Sequence, residues 1–214
     1  MGSYQTDDPR VLEVLHRRPP SGEHGAGQGA PGVAEFPADW SNSTLLECIT
    51  AVTGEPDHWL TVGSSTASFR DFDGVWVGAL VRTLPGESAR LVTAFPVVDG
   101  KRVHANPADP QPFLLNRTVE TALDELRAIA GQDDALNDQL WAGRALLKAG
   151  EPYEAAIWVV EMCADTGASL SEAVYSNLLL MTDDGYFDAT YGPGFRKLVT
   201  RQWKTAHPAT WASA

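Results

Sequence analysis

The sequence predicts an α+β first half, one helix with a small antiparallel sheet, followed by an all-α helical bundle. Three observations carry this. Residues 59–98 read WLTVGS, TASFRDF, VWVGALVR and RLVTAFPVV, runs rich in β-branched and aromatic residues that are broken by Asp73-Gly74 and Pro85-Gly86. Ahead of them, SNSTLLECITAV puts Leu45, Cys48, Ile49 and Val52 at helical spacing. After a proline-rich joint no strand pattern returns, and apolar residues recur every three or four positions.

Residues 1–21 read as a flexible leader in which only Val11 to His16 has the makings of a short helix. SGEHGAGQGAPGVAEFPADWS then sets one histidine, His24, among five glycines, a ribbon expected to be extended or looped. The first helix follows, with Thr44 and Glu47 spaced as a capping box. Three or four antiparallel strands come next, and their separators suit turns because Gly supplies positive φ and Asp tolerates it. Alternation is imperfect in VWVGALVR, which fits a central strand covered on at least one face.

HANPADPQPF has three prolines after His104, a stiff polar joint, so residues 22–107 are expected to form one domain and 108–112 its linker. Over 113–205 the apolar stripes follow one another. Val119, Ala122, Leu123, Leu126 and Ile129 end at Gly131; Leu136, Leu140 and Leu147 end at Gly150; Tyr153, Ile157, Val160 and Ala164 end at Gly167. Ser169 and Glu172 are spaced to cap a fourth helix along Leu170, Val174, Leu178 and Met181. A last short helix around Trp203 and a tail over 206–214 complete the reading.

No apolar run approaches the roughly 18 residues that cross a bilayer, and the N-terminus lacks the order of a secretory signal, so a cytoplasmic protein without membrane contact is expected. Cys48 and Cys163 sit among apolar neighbours as core thiols, and no His/Cys/Asp cluster has metal-ligand spacing; neither metal nor cofactor is expected. Net charge is -12, against the sign expected of a nucleic-acid grip. Thr118 to Tyr191 holds 14 acids against Arg127, Arg144 and Lys148, a net of -11, while Arg196, Lys197, Arg201 and Lys204 are gathered near the end. Such an acidic surface suits a basic protein partner. Asp133, Asp134, Asp138, Glu151, Glu154 and Glu161 are the contact candidates, with Trp141 and Trp158 as anchors or core.

The run GEHGAGQGAPGVAEFPADWS, a helix, strands ending in VTAFP, and HANP, taken in that order, resemble the bacterial EndoU-type nuclease domain of polymorphic and contact-dependent toxins over residues 22–107. The resemblance implies metal-independent RNA cleavage leaving 2′,3′-cyclic phosphate ends. In it two histidines move protons, a lysine steadies the phosphate charge, and a Thr/Ser-x-Tyr pair holds the substrate. Imidazole titrates near neutrality, which suits such a pair. His24 takes the place of the second histidine and Thr93 that of the hydroxyl. Val33 stands at the lysine and Phe95 at the tyrosine. The first imidazole is open between His16 and His104, while His58 and His207 read as loop and tail residues.

The helical half, through AGEP before an apolar helix and a Ser-rich cap, resembles the small helical immunity proteins encoded beside such toxins, the Maf type among them; a tetratricopeptide-like hairpin would read similarly. The expectation is a toxin/immunity-type protein that binds and neutralises a related nuclease rather than cutting RNA. The alternatives are an active endoribonuclease, or a helical adaptor without catalysis.

Overall fold

A computed structural model describes residues 24–27, 29–98, 102–107, 114–182, 187, 191 and 194–208. The Val11 to His16 helix, His16 itself, the 108–112 linker and the end of the tail lie outside them. The elements are β1 (Ala34–Glu35), α1 (Asn42–Gly54), β2 (His58–Val62), β3 (Ser65–Phe72), β4 (Val75–Arg82), β5 (Arg90–Pro96), β6 (His104–Ala105), α2 (Leu114–Ala130), α3 (Asp134–Ala149), α4 (Pro152–Thr166), α5 (Glu172–Met181) and α6 (Gly194–Ala206). The chain forms two compact units, Met1–Pro110 with Lys148–Glu151, and Gln111–Leu147 with Pro152–Ala214. Glu151 therefore belongs with the first unit, although it follows α3 in sequence.

The first unit is built on a four-stranded antiparallel sheet in the order β2-β3-β4-β5. Asp73 and Gly74 both take positive φ, 52° and 76°, the mirror-image turn whose twist matches that of a hairpin. Gly63-Ser64 makes the other two-residue turn, inside the run WLTVGS that reads as unbroken strand. Helix α1 packs on β3 and β4. Its stripe Leu45, Cys48, Ile49 and Val52 shares a core with Phe36, Val75, Val77, Ala79, Leu91 and Ala94. The cap is Ser41 rather than Thr44: Ser41 is extended at φ -79°, ψ 166°, and its hydroxyl accepts from the Thr44 N–H. The helix thus starts one turn earlier than the capping-box spacing suggests.

The sheet face turned away from α1 carries the cross-strand row Phe69, Gly78 and Phe95. A Cβ on Gly78 would lie 2.6 Å from Phe95 Cζ and 3.0 Å from Phe69 Cε1. Gly78→Ala is therefore expected to lower stability by about 1–3 kcal/mol through overpacking, checked by denaturant unfolding. Beside this row β5 is bulged: Leu80 pairs with Thr93 and Val81 with Leu91, leaving Val92 unpaired. An unbulged strand would turn Leu91 and Thr93 to the same face. The bulge separates them, Leu91 going to the α1 core and Thr93 to the opposite side.

The second unit contains five helices among the described residues. Helix α2 packs on α4 and α5, and α6 on α4 and α5. Gly131, Gly150 and Gly167, read as helix ends, all have positive φ. Ser171, not Ser169, caps α5, accepting from the Val174 N–H. Ile129 leaves its predicted stripe and is 53% exposed. Trp158 is core, with its indole N–H donating to the Gln139 carbonyl at 2.9 Å, whereas Trp141 is exposed. Both cysteines are buried free thiols, and burial pushes each up to about 12.

Candidate functional site

The glycine ribbon folds around a carboxylate. The Gly27 and Gly29 N–H groups each donate to Glu35 at 2.6 Å, and Asn106 Nδ2 donates to it at 2.8 Å. Gly27 (φ 78°) and Gly29 (φ 67°) both take the left-handed backbone, and their two amides form a small nest around one carboxylate. Asn106 comes from the HANP motif, whose His104-Ala105 pairs with β1 in the register Ala34 to Ala105 and Glu35 to His104. A cleft of about 430 Å³ lies over this nest, with Glu35, Phe36, Asn106 and Arg102 in its wall. Arg102 is paired with Asp39 and Asp73 at 2.7 and 3.1 Å.

The fold of the ribbon also fixes His24, and it fixes it inside. The Phe36 N–H donates to the His24 carbonyl at 2.8 Å, and the imidazole is 0% exposed. Nδ1 lies 2.7 Å from the Ala34 carbonyl, which can only accept, so Nδ1 carries a hydrogen. Nε2 lies 3.0 Å from Glu151 Oε1, and the Thr93 hydroxyl donates to the same oxygen at 2.5 Å. With Nδ1 committed to the carbonyl, Nε2 is engaged by Glu151 Oε1, and neither ring nitrogen is open to a substrate hydroxyl. Phe36 and Phe95 enclose it, their ring centres 6.4 and 6.1 Å away.

The two catalytic candidates, His24 and Thr93, are thus brought together, and the element between them is an acid. Val33 is 7% exposed and Phe95 1%. Gly150 explains Val33: with φ +91°, its position would bring any Cβ to 2.9 Å from Val33 Cα and Cγ2 and to 3.0 Å from the Gly32 carbonyl. Val33 is thus held by packing against Gly150.

Of the six acids read as partner contacts, three are corrected by burial. Glu151, Glu154 and Glu161 are 1%, 0% and 2% exposed, so no partner meets them on the surface of this chain. Glu161 instead accepts from the Tyr191 hydroxyl at 3.0 Å. Helical spacing predicts which residues share a face; it does not say that the apolar α4 would be covered on every side through its first three turns. Asp133, Asp134 and Asp138 are exposed at the start of α3. Among the other histidines, His207 donates to the Leu170 carbonyl at 2.8 Å, and His58 lies 6.5 Å from the Phe69 ring.

Glu151 is the site residue that sequence reasoning placed wrongly. Its one signal was position: it stands where α4 needs a cap, before Pro152, and Glu is a poor cap beside Ser, Thr, Asp or Asn. Among the described residues no three His, Cys, Asp or Glu side chains gather as metal ligands, and no helix is long and apolar enough to cross a membrane. No protein-family model matches the chain, and neither does any curated protein or any solved structure.

Proposed function

We propose that this is a toxin/immunity-type protein of bacterial antagonism: a degenerate EndoU-like domain over residues 22–107, joined to an acidic helical region that neutralises a related nuclease, working by binding and not by cutting. One observation carries the reading. The imidazole that the resemblance marks as catalytic is fully enclosed, with both nitrogens engaged and an acid from beyond residue 107 lying between it and Thr93. Loss of a general acid or base typically costs about 10²–10⁴-fold in rate, and loss of an electrostatic stabiliser about 10²–10³-fold. A closed His24 and a valine at position 33 impose both losses.

The acidic face left for a basic nuclease partner is Asp133, Asp134 and Asp138, where charge sets steering and specificity. Co-expression with EndoU-type toxins is expected to rescue growth, and the triple variant Asp133→Lys, Asp134→Lys, Asp138→Lys to weaken that rescue. The purified protein is expected to leave total tRNA intact. Cleavage to 2′,3′-cyclic phosphate ends that disappears in His24→Ala would sink the reading in favour of an active endoribonuclease.

A further inference from the structure

We propose that β2 is a docking edge for a second copy of this chain: two β2 strands add antiparallel about a two-fold axis and join their four-stranded sheets into one continuous sheet. Such pairing involves the first unit alone and is independent of the neutralising role proposed above.

The two edges of the sheet are built differently. At one end β5 starts at Arg90, is bulged at Val92 and has β1 lying beside it, features that stop a further strand from adding. At the other end β2 has none of them. It pairs with β3 in unbroken register from His58 and Phe69 to Val62 and Ser65, and it contains no proline. From His58 to Phe69 no Asp, Glu, Lys or Arg occurs, in a chain that carries 28 acids and 16 bases.

Register decides which groups this edge offers. The two-residue turn at Gly63-Ser64 makes Val62 and Ser65 a hydrogen-bonded pair, so Leu60 with Ala67 and His58 with Phe69 are hydrogen-bonded pairs as well. The N–H and C=O of Trp59 and Thr61 therefore point away from β3, and among the described residues nothing bonds to them. The same two residues have uncovered side chains. Trp59 is 54% exposed and Thr61 is exposed, because α1 lies over β3 and β4 rather than over β2.

Self-pairing uses both features at once. With the axis at Leu60, Trp59 meets the second copy's Thr61 and Thr61 meets its Trp59, and each becomes a pair that exchanges both backbone hydrogen bonds. Each indole then lies beside a threonine, an aromatic and β-branched cross-strand pair. The nearest charge along the strand, Asp57, falls opposite the second copy's Gly63, so no like charges meet although each chain carries -12. A neutral edge is where two acidic copies can approach. Five strand residues a side are few against the roughly 20–30 of a standard interface, so the dimer is expected to be weak, half-formed at about 10–1000 µM.

The test is sedimentation equilibrium of the full-length chain from about 1 µM to about 1 mM, at about 0.15 M salt to screen the acidic surfaces. A monomer–dimer equilibrium without larger species is expected, because a two-fold pair uses up both edges. Trp59→Lys sets two cations diagonally across the axis and is expected to weaken dimerisation at least about tenfold. Trp76→Lys, at a tryptophan 40% exposed on β4, should leave it unchanged. The Trp59 and Thr61 amides should exchange more slowly as protein concentration rises. A monomer throughout, or equal association in wild type and Trp59→Lys, would overturn the proposal. Should Trp59→Lys fail to fold, exchange in the wild type decides, and rates at Trp59 and Thr61 that ignore concentration count against self-pairing. Protection of those amides only on adding a nuclease would give the edge to another partner and overturn the proposal equally.

Discussion

Replacing His24 with alanine is expected to destabilise the first unit by about 3–5 kcal/mol, through a buried acid left without its partner and the cavity the ring leaves behind. The expectation follows from what would remain. Glu151 would keep one donor, Thr93, for a carboxyl group that is 1% exposed, and the Ala34 carbonyl would lose the His24 Nδ1–H. The ring also fills space between Phe36 and Phe95, so truncation opens a cavity. Hydrogen exchange of the β5 amides reads this unit by itself. The double variant His24→Ala, Glu151→Ala should cost well under the sum of the two single changes, because the second removes the buried acid that the first strands. Additive losses would mean that the two side chains do not act as a pair.

Gly150→Ala is expected to be nearly as damaging, about 2–5 kcal/mol. A left-handed backbone costs an ordinary residue roughly 1–2 kcal/mol, and the new methyl group adds overpacking of about 1–3 kcal/mol against Val33 and the Gly32 carbonyl. Gly167 supplies the internal control. Its φ is +72°, yet nothing lies within 4 Å of the position its Cβ would take. Gly167→Ala should then show only the backbone cost, about 1–2 kcal/mol. Unfolding curves for the two variants separate conformational strain from loss of the seat on Val33. Equal effects at the two glycines would show that Gly150 does not bear on the ribbon.

Much of the architecture was legible because it is local. Leu45, Cys48, Ile49 and Val52 recur at the helical period and lie in the α1 core; Asp73-Gly74 is a hairpin turn because those two residue types tolerate the backbone it needs. Gly131, Gly150 and Gly167 end helices for the same reason. What misled was also local. Thr44 and Ser169 have capping-box spacing, but Ser41 and Ser171 have the extended backbone that a cap requires, a property of the incoming chain. Ile129 fits the stripe of α2 by period and is still 53% exposed, one residue before the helix ends.

At the site the division is sharper. Quoted motifs were enough to nominate His24 and Thr93, and enough to notice valine and phenylalanine at positions 33 and 95. They could not foresee that the bulge at Val92 turns Thr93 away from Leu91 and toward the imidazole. Nor could they show that Glu35 would take two donors from the ribbon and a third from Asn106.

By itself, then, the chain determined its elements, its turns, the acidity of its later half and the residues to watch, because each depends on neighbours within a few positions. Tertiary structure alone decided that Glu151 is an internal partner of His24 and Thr93 instead of a surface contact. That pairing spans 127 residues and is set by the face each side chain takes and by a glycine packed where no side chain fits, none of which any local period encodes.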